Sequence, residues 1–329
     1  MKRWKQALAL TLLPLLLLGG CAGSEQEATT EFFAMDTVVT ARLPDTSDPA
    51  PLQRMQARVE ELERTLSKTM EDSDVARLNR ERSLPLSELS DETQSLLKTA
   101  QQISAETDGC LDVTLGALSN LWGFGSDNQQ VPSSKELEDA LAHSGQANLL
   151  LTANTVSLQN GVLLDLGAIA KGFATDEAVT LLREQGVQNA MLSLGGNVYV
   201  LGQIDGRDWK VGIADPAHPN RLAGTLTLSN KAVVTSGDYQ RYFEQDDVRY
   251  HHIFDPFTGY PADNELASVT VIHDSATLAD GYSTALFVMG LDRAMQFVRA
   301  QDGMEAVFIT HDGEIFCTDG LQEVFTPAD

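Results

Sequence analysis

The stretch DLGAIAKGFATDEAV, residues 165–179, decides how the chain folds around its candidate site. The three leucines within residues 163–166 predict a short buried strand that ends at the carboxylate of Asp165. Gly167 lets a ligand or another backbone approach closely, and a helix is predicted to begin at about Ala170. Because the first N–H groups of a helix have no partner within the helix, this turn suits an anionic ligand.

The lysine in this stretch leaves two interpretations open. Lys171 precedes Gly172, and the spacing Gly-x-x-x-x-Gly-Lys-Ser/Thr of a phosphate-binding Walker A loop is absent. Either Lys171 faces an anionic ligand, or the stretch is an ordinary strand-to-helix turn with a lysine on the surface. Other parts of the sequence must decide between them.

Further stretches repeat the pattern of Gly, Asp, Thr and His residues near the ends of predicted elements. In chain order they are AMDTVVTARL (34–43), LDVTLGALSNLWGFG (111–125), MLSLGGNVYVLG (191–202), residues 233–261 and SATLADGYSTALFVMG (275–290). In this order the set resembles the FAD:protein FMN transferases, the ApbE-type flavin transferase lipoproteins. The resemblance covers nearly all of the chain after residue 30. Its most specific parts are D-L-G-x-I-A-K-G, H-I-x-D-P-x-T-G and A-D-x-x-S-T-A-L.

The amino terminus predicts where the protein works. Three basic side chains precede the apolar run Ala7–Leu18, which is too short for a stable membrane span. Leu18-Gly19-Gly20-Cys21 then matches a lipoprotein cleavage site, so we expect residues 1–20 to be a signal peptide and residues 21–30 a tether lipidated at Cys21. The expected location is the extracytoplasmic face of a bacterial membrane, with a lipid anchor. The alternative is an ordinary signal peptide with an incidental cysteine.

Acidic residues dominate the composition. The 47 Asp and Glu residues outnumber the 23 Lys and Arg residues, and the formal net charge is −24. This charge excludes nucleic acid as an expected partner, and an anionic ligand needs local cations such as a metal or Lys171. Cys110 and Cys317 either pair or stay free. A zinc site is not predicted, because the sequence has no C-x-x-C motif or His/Cys cluster.

Hydrophobic periodicity predicts an α+β fold in layers, with mainly antiparallel sheets and packed helices. Apolar residues recur at helical spacing in residues 52–66 and 89–103. Alternating patterns predict strands at Thr37–Leu43, Val198–Leu201, Leu222–Leu228 and Val269–Ile272. Loops are predicted at residues 44–51 and 126–134. The resemblance implies one flavin transferase domain over residues 31–329, with its site in a cleft between sub-structures.

A pair of oxygen-bearing residues indicates a metal. Asp280 and Thr284 lie four residues apart in a segment with helical spacing, so their oxygens share one face. Hard oxygen ligands, with water and a phosphate, suit Mg²⁺. The alternative is a helix N-terminal carboxylate with a threonine bonded to its own turn. The resemblance implies that Asp280, Thr284 and the backbone carbonyl of Ala168 hold the metal. Some members carry a second Asp where this chain has Ser283.

The resemblance also implies a set of FAD contacts. These positions are Met35, Asn79, Cys110, Leu111, Asp112, Asp165, Lys171 and Ile253. Asp36 replaces the family's usual glycine after Met35, which leaves the backbone less free. Thr69 stands where tyrosine is frequent, so aromatic stacking there is lost or supplied elsewhere. Gly195-Gly196 is either a hairpin turn or a close approach to phosphate.

Two adjacent histidines offer a candidate base. His251 and His252 lie on a predicted strand before the turn signature of residues 255–259, so their side chains point to opposite faces. The resemblance selects His252, the residue before Ile253. A neutral histidine can take the proton of an acceptor hydroxyl near pH 7. The alternative is a structural histidine bonded to the turn at Asp255.

Together these features predict an Mg²⁺-dependent transfer of the FMN moiety of FAD to a threonine or serine hydroxyl of an acceptor protein, with release of AMP. The resemblance implies acceptors such as flavin-carrying subunits of membrane redox complexes, or extracytoplasmic reductases. An Mg²⁺-dependent FAD pyrophosphatase and a flavin-binding lipoprotein without catalysis are the alternatives. The sequence does not name the acceptor, the physiological metal or the oligomeric state.

Overall fold

A computed structural model describes residues 27–218 and 220–328 of the chain. Within these residues the strands are β1 (Ala28–Ala34), β2 (Thr37–Leu43), β3 (Ser83–Pro85), β4 (Leu149–Leu151), β5 (Thr155–Leu158), β6 (Ala190–Leu194), β7 (Asn197–Leu201), β8 (Trp209–Ala214), β9 (Leu222–Leu228), β10 (Lys231–Gly237), β11 (Tyr242–Gln245), β12 (Val248–His251), β13 (Leu266–His273), β14 (Glu305–Thr310), β15 (Ile315–Cys317) and β16 (Phe325–Pro327). The helices are α1 (Ala50–Leu66), α2 (Asp74–Glu81), α3 (Asp91–Glu106), α4 (Gly116–Trp122), α5 (Ser134–Leu141), α6 (Ala170–Glu184), α7 (Ala276–Met289) and α8 (Leu291–Arg299).

An eight-stranded antiparallel sheet, in the order β1-β2-β6-β7-β10-β13-β14-β15, forms the middle layer. Alternate residues of its strands point to opposite faces. Val234 and Phe308 pack with the helices in the main core, whereas Val233 and Val307 pack with Trp209 of the small sheet β16-β9-β8. Layers therefore cover both faces of the large sheet. This explains why β13 is buried along nearly its whole length.

A smaller aromatic cluster lies beside the main core. Trp122 of α4 packs against Phe243 and Tyr250 of the β11–β12 hairpin, with ring centroids 6.3 and 5.5 Å apart. Its indole N–H donates to the Gly259 carbonyl oxygen at 2.9 Å. The cluster holds the end of β12 and the turn that follows it. The predicted fold class, layered α+β with mainly antiparallel sheets, is confirmed.

The apolar run before Asp165 differs from the prediction. Residues 162–166 form no strand, and their one ladder contact is a parallel bridge between Leu163 and Leu115. The segment alongside makes only two backbone hydrogen bonds to this run, from the Asp165 N–H to the Val113 carbonyl oxygen and from the Gly116 N–H to the Leu163 carbonyl oxygen, and side chains bind other backbone groups. Asn79 bonds both backbone groups of Leu164, and Arg82 bonds the Val162 carbonyl oxygen. Of the three leucines predicted to be buried, Leu164 and Leu166 are buried.

The amino-terminal boundary of the domain also differs. Strand β1 begins at Ala28, so the last three residues of the predicted tether pair with Ala41–Leu43 in the sheet. The reason is that Ala28 is buried and the two threonines after it are β-branched, which suits a strand. The predicted signal peptide and Cys21 lie outside the described residues. Helix α1 begins at Ala50, so the last two residues of the predicted loop are helical.

Two further findings concern cysteines and membrane spans. Cys110 and Cys317 are both free thiols. Cys110 lies in the main core, whereas Cys317 packs against the core on the other face of the large sheet. Among residues 27–218 and 220–328, no helix is long and apolar enough to cross a bilayer.

Candidate active site

The site is built on the contact between α6 and α7. At Gly172, near the start of α6, an added Cβ would lie 2.2 Å from the Ala276 carbonyl oxygen and 2.6 Å from the Asp280 Cβ. Only glycine therefore permits the two helices to approach so closely. The close approach places the start of α6 directly against the face of α7 that carries Asp280.

A carboxylate of α6 fixes the position of α7 along this contact. Asp176 accepts hydrogen bonds from the backbone N–H groups of Ala276 and Thr277 at 2.7 and 2.9 Å. It also accepts from the hydroxyls of Ser275 and Thr277, at 2.7 and 2.6 Å. A carboxylate at a helix N-terminus satisfies free donors and complements the helix dipole. No local sequence pattern indicates Asp176, because its partners are distant in the chain.

Asp280 is buried, with 4% of its surface exposed. Its Oδ2 accepts from the Gly172 N–H at 2.8 Å, and its Oδ1 lies 3.9 Å from the Lys171 Nζ. Burial raises the pKa of Asp280, while Lys171 and the Gly172 N–H partly offset that rise. Lys171 also donates to the Gly167 carbonyl oxygen at 3.0 Å. Its ammonium therefore faces the site and not bulk solvent.

Two more oxygens belong to the predicted metal set, those of the Thr284 hydroxyl and the Ala168 carbonyl. Thr284, one turn along α7, has its hydroxyl 3.3 Å from the Ser236 hydroxyl and is not bonded to its own turn within the described residues. Ser236 also contacts the Ser283 hydroxyl at 2.8 Å. No described donor bonds the carbonyl oxygen of Ala168, one turn before Gly172. A carboxylate, a hydroxyl and a free carbonyl form a hard donor set, which fits Mg²⁺.

The described residues offer no comparable set of ligands for a softer metal such as zinc. In the described parts of the chain, no group of three or more His, Cys, Asp or Glu side chains is placed to hold an ion. Transition metals such as zinc prefer nitrogen and sulfur ligands.

His252 follows β12 and has a fixed tautomer. Its Nδ1 lies 3.2 Å from the Arg241 carbonyl oxygen, which also accepts the His252 backbone N–H at 3.1 Å. A carbonyl can only accept, so Nδ1 carries the proton and Nε2 keeps a lone pair. Burial, followed by the positive charges of Arg241 and Lys171, lowers the pKa of His252 to about 3. The ring is therefore neutral at pH 7.

His251 has different surroundings. It is buried, its Nε2 lies 3.0 Å from the Ala262 carbonyl oxygen, and its ring packs edge-on against Phe287 at 5.6 Å. The neighbouring Ile253 is also buried, and its N–H donates to the His251 Nδ1 at 3.3 Å. His251 therefore supports the local fold. The alternative for His252, a bond to the Asp255 turn, is not observed, since Asp255 accepts from the Phe257 N–H.

A hairpin turn lies on the same side as His252. Met35 and Asp36 join β1 to β2 with φ values of 54° and 57°, which aspartate tolerates and glycine adopts more readily. The Met35 N–H donates to the Glu63 Oε1 at 2.8 Å. The Asp36 carbonyl oxygen accepts from the Arg241 Nη2 at 2.9 Å. Arg241 thus connects this turn to His252, and Asp36 is compatible with the turn.

The turn after β6 is a hairpin as well. Gly195 and Gly196 have φ values of 61° and 96°, and they join β6 to β7. At Gly195 an added Cβ would lie 2.3 Å from the Thr37 hydroxyl. The next residue, Asn197, is 2% exposed, and its Nδ2 has no hydrogen-bond partner among the described residues. Because the two glycines join two paired strands, the hairpin interpretation is confirmed.

The segment before α6 is held by side chains. Asp165 accepts from the Lys68 Nζ at 2.7 Å and from the Gly167 N–H at 3.0 Å. Burial would raise the pKa of Asp165, but Lys68 and the hydrogen bonds outweigh it and hold that pKa below its usual range. The Asn79 amide bonds both backbone groups of Leu164. Its Nδ2 donates to the carbonyl oxygen at 2.9 Å, and its Oδ1 accepts from the N–H at 2.7 Å. Asn79 therefore positions the segment.

The segment Cys110–Asp112 packs beneath α7. Cys110 and Leu111 are buried, and Leu111 lies 3.4 Å from the place of a Cβ at Gly281. Asp112 accepts from the Thr114 N–H and hydroxyl at 2.7 and 2.6 Å. Burial raises the pKa of Asp112, and these hydrogen bonds partly offset the rise. Cys110 and Leu111 thus form part of the core behind the site.

Comparisons with known proteins agree over most of the chain. A family model described as the ApbE family matches residues 35–308. The chain is 37% identical over 309 residues to the FAD:protein FMN transferase of Vibrio cholerae, with 91% of each covered. It is 32% identical over 323 residues to the FAD:protein FMN transferase of Escherichia coli K12, with 92% of each covered.

Solved structures give the same result for the fold. The ApbE protein of Thermotoga maritima superposes with a TM-score of 0.84 at 36% identity, covering 91% of this chain and 99% of that one. The flavin transferase ApbE of Vibrio cholerae gives a TM-score of 0.82 at 31% identity, covering 91% of this chain and 99% of that one.

Proposed function

This chain belongs to the ApbE family and is an FAD:protein FMN transferase, and we propose that it moves the FMN moiety of FAD to a threonine or serine hydroxyl of an acceptor protein. The proposed reaction depends on Mg²⁺ and releases AMP. The observation that carries it is a neutral histidine with a free Nε2, beside a lysine that contacts a buried carboxylate.

In the proposed reaction the acceptor oxygen attacks the phosphorus of the FMN half of FAD. The bond from that phosphorus to the bridging oxygen breaks, and the bridging oxygen leaves with AMP. The hydroxyl proton passes to the Nε2 of His252, whose other nitrogen is held by the Arg241 carbonyl oxygen. Such chemistry depends mostly on positioning and on compensation of charge.

Asp280, Thr284 and the Ala168 carbonyl oxygen are the residues that would hold Mg²⁺. A bound Mg²⁺ would offset negative charge on the diphosphate. Lys171 adds a positive charge beside Asp280, and the Gly172 N–H keeps one oxygen of that carboxylate in place. The Ser236 hydroxyl holds Thr284 on the face it shares with Asp280.

The place of the reaction and its acceptors are also proposed. The sequence Leu18-Gly19-Gly20-Cys21 supports a lipid anchor on the extracytoplasmic face of a bacterial membrane. Acceptors there would include flavin-carrying subunits of membrane redox complexes. The acidic composition, with a net charge of −24, disfavours nucleic acid as a partner.

One experiment tests the proposal. The purified chain is incubated with FAD, Mg²⁺ and a candidate acceptor, and both acceptor mass and free nucleotides are measured. We expect the acceptor to gain the mass of FMN less water while an equal amount of AMP forms. Formation of FMN and AMP with an unchanged acceptor would instead show hydrolysis, and no turnover of FAD with any acceptor would contradict catalysis.

A further inference from the structure

Lys68 is a cation of the cleft that the sequence pattern did not indicate. It lies in the loop between α1 and α2. Its Nζ lies 2.7 Å from the Asp165 Oδ2 and 2.6 Å from the Ser119 hydroxyl oxygen. The Lys68 and Asp165 side chains are 27% and 23% exposed, so the pair is open on one side.

The pair belongs to a row of connected charges. The second oxygen of Asp165 accepts from the Gly167 N–H at 3.0 Å, and the Gly167 carbonyl oxygen accepts from the Lys171 Nζ at 3.0 Å. Lys171 in turn lies 3.9 Å from Asp280. The row therefore runs from the candidate metal ligand Asp280 to Lys68 at its far end.

The members of this row differ in how many of their hydrogen-bonding groups have a partner within the protein. Both oxygens of Asp165 have a partner within the protein. A lysine ammonium has three N–H donors, and Ser119 and Asp165 take two of those of Lys68. No other described residue accepts from it. Lys68 thus keeps one free donor at a partly exposed position, in addition to the free donors of Lys171, whose hydrogen bond is to Gly167.

We propose that Lys68 is a further FAD-binding residue, whose remaining N–H donates to an oxygen of the nucleotide lying along this row. The inference rests on the proposed function, since it requires FAD in this cleft. The competing role is positional: Lys68 would neutralise Asp165 and hold the segment before α6 without touching the nucleotide.

A double-mutant cycle separates the two roles. FAD binding is measured by flavin fluorescence at fixed ionic strength for the wild type, Lys68→Met, Asp165→Asn and the double variant. The double variant leaves no unpaired carboxylate, so it tests Lys68 even if Lys68→Met alone folds poorly. We expect Lys68→Met to raise the FAD dissociation constant about 10- to 100-fold in both backgrounds, the usual loss for one hydrogen bond to a charged group.

Lys135→Met removes the same charge from an exposed position on α5 and should leave FAD binding unchanged. Titrations with ADP and with FMN show which half of the nucleotide Lys68 contacts, because only the contacted half loses affinity. Equal affinities of Asp165→Asn and the double variant would overturn the inference and leave Lys68 a positioning residue. Failure of the wild type to bind FAD would instead overturn the proposed function.

Discussion

At the scale of single residues, His251 and His252 show how neighbours acquire different roles. His251 is enclosed by Phe287 and bonded to the Ala262 carbonyl oxygen. His252 donates one ring N–H to the Arg241 carbonyl oxygen and keeps its other nitrogen free. The difference follows from the alternation of side chains along an extended backbone. It makes His252 the only one of the two that is suited to accept a proton from a substrate.

His252→Ala should therefore lower FMN transfer about 10²- to 10⁴-fold, the usual contribution of a general base. FAD binding should persist, because it depends on other residues. The measurement is flavin fluorescence of the acceptor after denaturing electrophoresis, with AMP release followed in parallel. His218→Ala, which removes an exposed histidine, is the control. Loss of FAD binding in His252→Ala would show that the ring holds ligand or structure instead.

The pKa of His252 also predicts a pH effect on stability. Burial next to Arg241 and Lys171 lowers the pKa from 6.5 to about 3 in the folded state. Between these values the unfolded chain binds a proton that the folded chain does not, so the free energy of unfolding falls as the pH falls through this window. In urea unfolding without divalent ions, His252→Gln should lose less stability than wild type between pH 6.5 and 4.5. Equal losses would contradict the low pKa.

The oxygen donors on α7 predict a requirement for a divalent cation. Excess chelator should abolish transfer, and Mg²⁺ should restore it in the wild type and in Asp302→Asn, a surface control. Asp280→Asn should remain at least about 100-fold below wild type at the same Mg²⁺ concentration, since even outer partners of a metal site contribute 10- to 100-fold. Full transfer in excess chelator would exclude the metal.

The site could be predicted only where it depends on local pattern. The spacing of Asp280 and Thr284 indicates one helical face, and the paired histidines indicate opposite directions. Lys68 and Asp176 gave no such signal, because a lysine in a polar loop and an aspartate on a helix are common on surfaces. Their importance comes from partners that tertiary packing brings to them.

At the scale of elements, the contact of α6 with α7 determines the geometry of the site. Gly172 permits the close approach, and Asp176 fixes where α7 begins. Helices α1, α3 and α7 form where apolar spacing predicts them, and α6 begins at Ala170, as the turn before it predicts. The strand expected before Asp165 does not form. A short apolar run predicts that a segment is buried, but it does not predict which groups will hydrogen-bond to the backbone of that segment.

Gly172→Ala should separate the two helices. The added methyl would lie 2.2 Å from the Ala276 carbonyl oxygen, so backbone must move. We expect a loss of about 1–3 kcal/mol in the free energy of unfolding, as for overpacked cores, together with weaker Mg²⁺ and FAD binding. Thr180→Ala, an exposed change on the same helix, should affect neither. Chemical denaturation and flavin titration measure the effects, and unchanged binding in Gly172→Ala would show that the contact does not set the site.

At the scale of the whole molecule, layers on both faces of the large sheet build the scaffold, and the site residues lie on α6, on α7 and after β12. The amino terminus would place this scaffold at a membrane through lipid. Because strand β1 begins at Ala28, the folded domain starts soon after the proposed anchor at Cys21.

Cys21→Ser tests this anchor. We expect the variant to leave the membrane fraction while its catalytic constants with FAD and a soluble acceptor stay at wild-type values, since residue 21 precedes the first strand. Fractionation of cells followed by a transfer assay measures both. A Cys21→Ser protein that is cleaved normally and still sediments with membranes would show that lipid is not the attachment.

The hydrogen bonds that join the site residues have a consequence for folding. Gly172 and Asp280 are 108 residues apart in the chain, Lys68 and Asp165 are 97 apart, and Arg241 is 205 residues from Asp36. Contacts of such large sequence separation form slowly, because long loops must close first. The nucleotide site therefore cannot assemble on a growing chain before nearly all of it is complete, and nucleotide binding reports that folding has finished.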